Sequence, residues 1–67
     1  MNDQHEREAL ELTGLLQAAV LYPDAVRTSG IARPLLASAG NLVEKLDGTA
    51  RTELEIARAN LAALEEG

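Results

Sequence analysis

The sequence predicts an all-α fold, and three observations carry that prediction. First, twelve leucines and twelve alanines supply most of the 46% hydrophobic content. Both residues are strong helix formers, whereas β-branched residues are few. Second, apolar residues recur at alternating spacings of three and four, the period of one helix face. Third, the periodic segments are separated by proline and glycine, which punctuate helices. With 67 residues and no cysteine, the chain is read as a single domain without disulfide or thiolate-metal support. The expected architecture is a small three-helix bundle, or a helical hairpin with an extra short helix. A core this small usually needs a staple, so the chain is expected to associate into a homo-oligomeric helical bundle, with a dimer favoured.

The first helix is predicted over residues 3–21. Asp3 with Glu6 three residues later resembles a capping box, and Glu6 and Glu8 suit the positive end of the helix dipole. Ala9, Leu12, Leu16 and Ala19 share one face, which Leu15 widens; Leu10 and Leu21 lie off it. Apolar residues on more than one side point to more than one neighbour. The helix stops before Pro23, because the residue preceding a proline is pushed out of the α region.

A short helical turn over residues 23–28 follows, with Pro23 at its first position. Thr28, Ser29 and Gly30 read as a break or cap. A main helix over residues 31–46 comes next, with Pro34 in its first turn, where a missing N–H costs little. A single helix kinked at Pro34 is the alternative. Leu35, Ala39, Leu42 and Leu46 form the stripe of the main helix, and Asp47-Gly48 ends it with a left-handed cap. The last helix is predicted over residues 50–65, with Thr49 as N-cap. Its stripe of Ala50, Leu54, Ala57, Leu61 and Leu64 is spaced 4, 3, 4, 3, close to a coiled-coil seam. Arg51 and Glu55 form an i,i+4 pair worth ~0.3 kcal/mol, and Glu65 and Glu66 oppose the dipole at the helix tip. Gly14 and Gly40 fall inside predicted helices at a cost of about 1 kcal/mol each relative to alanine, which raises the question of a close approach by another backbone.

Charge narrows the function classes. The net charge is −5, distributed as −3 over residues 1–22, zero over 23–47 and −2 over 48–67. An acidic chain lacks the cationic surface that phosphate backbones require, so direct nucleic-acid binding is not expected. No apolar run approaches a membrane span, and residues 1–4 do not read as a secretory signal, so a cytoplasmic protein with no membrane contact is expected. With one histidine, His5 near the terminus, and no cysteine, no metal site is expected and no cofactor is implied. Ser29 and Ser38 have no neighbouring base, and there is no phosphate loop, dinucleotide fingerprint or zinc spacing. The chain is therefore expected not to be an enzyme.

Two sets of residues stand out. Leu12, Leu16, Leu54, Ala57, Leu61 and Leu64 are the candidate self-association set. Tyr22, Arg27, Thr28, Ser29, Gly30 and Arg33 are the candidate ligand set: a helix start presents free N–H groups to an anion, two arginines add bidentate donors, and Tyr22 offers a ring for stacking. As the only aromatic residue, Tyr22 reads either as a packing plug or as a partner hot spot. The function expected from this inventory is a non-catalytic helical protein that self-associates and binds a larger protein partner as an inhibitor, antitoxin-like factor or adaptor. The alternative is an oligomer that sequesters a small anionic ligand, such as a nucleotide, at the Arg27–Arg33 turn.

Overall fold

The computed structural model describes residues 3–66. The described residues are all-helical and form four helices: α1 (Asp3–Leu21), α2 (Pro23–Ser29), α3 (Ala32–Val43) and α4 (Gly48–Glu66). Asp3 is itself helical, inside α1 rather than ahead of it. At the other end, Tyr22 leaves the helix with φ −127° and ψ 65°, as the ring of Pro23 demands. Its carbonyl then accepts the first hydrogen bond of α2, from the Val26 N–H at 3.1 Å.

The middle segment forms two helices rather than one kinked at Pro34. Gly30 separates them in the left-handed conformation, φ 72°, which costs a residue with a Cβ more than glycine. Its N–H donates to the Val26 carbonyl at 2.9 Å and closes α2. Pro34 occupies the third position of α3. There its missing N–H is one of the donors that has no intrahelical acceptor in any case, and the first helical bond runs from the Leu35 N–H to the Ile31 carbonyl.

The third helix ends at Val43, short of residue 46. Lys45 and Leu46 donate to the Leu42 and Val43 carbonyls at 2.9 and 3.2 Å. These i→i−3 bonds tighten the chain out of the α-helical ladder. Leu46 nevertheless stays buried in the core. Gly48, at φ 68°, then redirects the chain into α4. Thr49 therefore lies within α4 rather than capping it, and it is the Thr52 Oγ that donates back to the Gly48 carbonyl at 3.2 Å.

Helices α1, α3 and α4 pack pairwise, while α2 packs on α1. The late part of α1 lies beside the start of α3, and its early part beside the end of α3, so those two helices are antiparallel. Four residues, 44–47, turn α3 into α4, and the Arg58 guanidinium reaches Gly40. Consequently α4 is antiparallel to α3 and runs in the same direction as α1. The molecule is slender, 37 × 17 × 16 Å.

One cluster fills the interior: Ala9, Leu16 and Ala19 of α1, Val26 of α2, Ala32, Ala39, Leu42 and Val43 of α3, Leu46, and Leu54, Ala57 and Leu61 of α4. Among the described residues, only Leu16, Leu54 and Leu61 are large side chains sealed completely from water. Five of the twelve buried apolar residues are alanines. Alanine lets helices approach closely but contributes little buried area per residue, and stabilisation scales with that area. Among the described residues no helix is long and apolar enough to cross a membrane.

Candidate functional site

The candidate self-association set is placed mostly inside the chain. Leu16, Leu54, Ala57 and Leu61 belong to the buried cluster, and Leu12 and Leu64 are half-buried against it. The 3,4 spacing of α4 locates the intrachain core, and those side chains are not surface in the folded chain. The stripe on α1 is also rotated slightly from the expected one. Thr13 is buried where Leu12 was expected, and Leu15 turns outward, 56% exposed.

The large apolar side chains left outside are Leu10, Leu15, Leu21, Tyr22, Ile31 and Ile56. Three of them gather at one end of the molecule. Leu15 and Ala18 belong to the last two turns of α1, and Tyr22 follows directly after its last residue. Ala25 and Val26 of α2 form the floor opposite. Ile31, Pro34 and Leu35 close the far side at the start of α3. Together they line an open groove of about 630 Å³ whose walls are almost wholly apolar. Tyr22 is 67% exposed and Ile31 45% exposed, so neither is a packing plug.

Of the candidate ligand set, Tyr22 and Ser29 line this groove; Arg27, Thr28, Gly30 and Arg33 do not. Two of the expected donors have other employment within the chain. The Gly30 N–H is committed to the Val26 carbonyl, and the Ser29 Oγ donates to the same oxygen at 3.3 Å. Both therefore finish α2 instead of facing an anion. Arg27 and Arg33 are exposed beside the groove, as is Asp24. Among the described residues the one ion pair lies elsewhere, Arg51 with Glu55 at 3.5 Å on the outer face of α4.

A second, smaller depression of about 300 Å³ separates α1 from α4, lined by Leu10, Gly14, Ile56 and Asn60 among others. An added Cβ at Gly14 would meet nothing within 4 Å, and one at Gly40 would meet only the Arg58 guanidinium at ordinary contact distance, 3.7 Å. Neither glycine is required by close packing within the chain. His5 is half-buried rather than free in solvent, and its Nδ1 is buried with no hydrogen-bond partner among the described residues. Among those residues no group of three or more His, Cys, Asp or Glu side chains is arranged to hold a metal ion.

No known family model, characterised protein or solved structure matches the chain. The groove is thus read on its own chemistry. It offers apolar surface, one phenol and a rim of mixed charge. Such a surface excludes water from an apolar partner, and it supplies no nucleophile–base pair.

The groove was hidden from sequence reasoning for a definable reason. Leu15, Ile31, Pro34 and Leu35 come from different elements, and only the turn at Tyr22-Pro23 and the cap at Gly30 bring them together. One signal was present: Leu15 lies at the edge of the Ala9, Leu16 and Ala19 face, which makes it the residue of that stripe most open to an outside neighbour.

Proposed function

We propose that this chain is a non-catalytic interaction module that works by association, as an inhibitor, antitoxin-like factor or adaptor. Its α1–α2–α3 groove accepts an apolar helical element, and the acidic outer surfaces of α1 and α4 face a larger protein. The observation that carries this reading is the convergence of Leu15, Tyr22 and Ile31 on one groove while still substantially exposed. A chain with so thin a core would gain from covering its largest aliphatic and aromatic side chains. Leaving three of them together in water has a cost that burial by a partner removes, about 25 cal/mol per Å² of apolar area covered. Tyrosine is moreover over-represented among residues that dominate binding energy.

Photocrosslinking tests the reading. A benzophenone side chain placed at position 22 or 31 is expected to capture one defined polypeptide in the native cellular context. The same probe at Thr52, exposed on α4, is expected not to. Capture at position 22 should disappear when Leu15→Glu is added. Equal capture from all three positions, or capture indifferent to Leu15→Glu, would exclude the groove as the working surface.

A further inference from the structure

We propose that the Asp47-Gly48 peptide is a site of spontaneous covalent modification, at which the folded chain converts Asp47 to isoaspartate through a cyclic imide. The chemistry is intramolecular and independent of what fills the groove.

The step needs a side-chain carboxyl, in its protonated form, and the amide nitrogen of the next residue. The Gly48 nitrogen adds to Asp47 Cγ, so that a C–N bond forms and the Cγ–OH bond breaks. The hydroxyl leaves with the amide proton as water, and a five-membered imide remains. Water then opens the ring at either carbonyl. Opening at Cγ restores aspartate. Opening at the main-chain carbonyl gives isoaspartate, in which the backbone runs through Cβ and Cγ and the α-carboxylate is free. The water lost in ring closure is regained in ring opening, and nothing is oxidised or reduced.

Three features of the turn favour this reaction. Asp47 is exposed and lies between α3 and α4, outside any helix. Asp3, Asp24, Asn41 and Asn60, the other described residues with a side chain of this length, all lie within helices. A helical backbone holds the side-chain carbonyl carbon away from the following nitrogen. In addition, the N–H groups of Leu42 and Leu61 stand in the interior of their helices, where the hydrogen-bond ladder engages them.

The Gly48 nitrogen is also uncommitted. The backbone hydrogen bonds of the turn end with the Leu46 N–H, which donates to the Val43 carbonyl, and none runs from Gly48. No hydrogen bond therefore has to break before the nitrogen reacts. Among the described residues the Asp47 carboxylate has no ion pair either.

Finally, residue 48 has no side chain to obstruct ring closure. Its φ of 68° disfavours any residue with a Cβ. The backbone turn that starts α4 thus fixes the glycine that makes its neighbour reactive.

Isoaspartate adds one main-chain carbon to the connection between buried Leu46 and α4. Leu46 and the α4 stripe share one core cluster, so the added length loosens the packing of α3 on α4. The groove lies at the opposite end of α3, beside Ile31 and Pro34. The 12 residues of that helix separate the two by about 18 Å. The modification is therefore expected to lower stability and to leave the groove's own side chains unaltered.

Ageing the folded full chain at neutral pH and physiological temperature tests this. Peptide mapping with electron-transfer fragmentation distinguishes isoaspartate from aspartate, and enzymatic methylation of isoaspartyl carboxyls counts it. The expected result is isoaspartate at position 47, accompanied by a species one water lighter, and none at positions 3, 24, 41 or 60. Asp47→Ser keeps a residue that can cap a helix and has no carboxyl, so it should lose the signal entirely. Asp47→Glu would need a larger ring and should lose most of it. Circular dichroism establishes that both variants are folded. Aged wild type should melt below fresh wild type, and aged Asp47→Ser should not. Isoaspartate that forms at position 47 in urea but not in the folded chain would show that the turn protects the pair, and overturns the proposal. Equal isoaspartate at positions 3, 24 and 47 of the folded chain overturns it as well.

Discussion

Replacing Gly14 with alanine is expected to stabilise the protein, and the size of the gain follows from the fold. Gly14 stands in the body of α1, well away from either helix end. Its backbone is helical, with φ not in the left-handed region, so it has no conformational need for glycine. An added Cβ meets nothing within 4 Å, so no steric term opposes the substitution. What is left is the difference in helix propensity, about 1 kcal/mol in favour of alanine. For a chain of 67 residues the unfolding entropy near the midpoint is roughly 0.14 kcal/mol/K. A gain of ~1 kcal/mol therefore raises the melting temperature by about 7 °C. Thermal unfolding followed by circular dichroism at several protein concentrations measures it. The reasoning fails if Gly14→Ala leaves the midpoint unchanged or lowers it. A loss that grows with protein concentration would mean that the backbone of a second copy sits against Gly14, at the α1–α4 depression.

The same melts test three further substitutions. Gly30→Ala should lower stability by about 1 kcal/mol or somewhat more, because position 30 holds φ at 72°; a neutral result would show that α2 can end without its left-handed cap. Leu54→Ala removes a side chain sealed from water and should cost ~3–5 kcal/mol. That is comparable with the total of roughly 3–10 kcal/mol expected for a domain of this length, so urea titration should find the variant largely unfolded at low concentration. Arg51→Ala breaks an ion pair whose side chains are 50% and 49% exposed and should change stability by no more than about 0.5 kcal/mol, less in high salt.

Local chemistry made the helices legible. Proline after Tyr22 and glycine at 30 and 48 act through one residue's backbone, so their effects can be read without knowing the tertiary structure. The Leu54, Ala57, Leu61 stripe could likewise be read as a buried seam, since a 3,4 repeat must face something apolar. What the repeat does not state is whether that something belongs to the same chain. In this fold α1 and α3 occupy it, and the interior position suggested for a second copy is already filled. The end of α3 was illegible for a different reason: Leu46 keeps its apolar period even though the backbone leaves the helix at Val43, because burial depends on side-chain position and not on the hydrogen-bond ladder. Within the candidate anion site at residues 27–33, the Gly30 N–H is the closing donor of α2, a commitment that residue type and spacing do not display.

The thinness of the core and the exposure of the groove have a common origin. A slender bundle, 17 × 16 Å in cross-section, whose twelve buried apolar residues include five alanines has little interior room for further long side chains. Leu15, Tyr22 and Ile31 therefore stay partly outside, 56%, 67% and 45% exposed, although covering the rest of each would contribute roughly 1–2 kcal/mol. Enlarging the core to admit them would separate α1 from α2 and α3 and open cavities beside Ala19 and Val26, which carries its own cost. The remaining way to remove that apolar surface from water is to cover it from outside. On this argument the stability of the single chain and its association are linked by mass action. Unfolding should become harder when a partner that fills the groove is present in excess, and substitutions in the groove should destabilise the protein only when that partner is present.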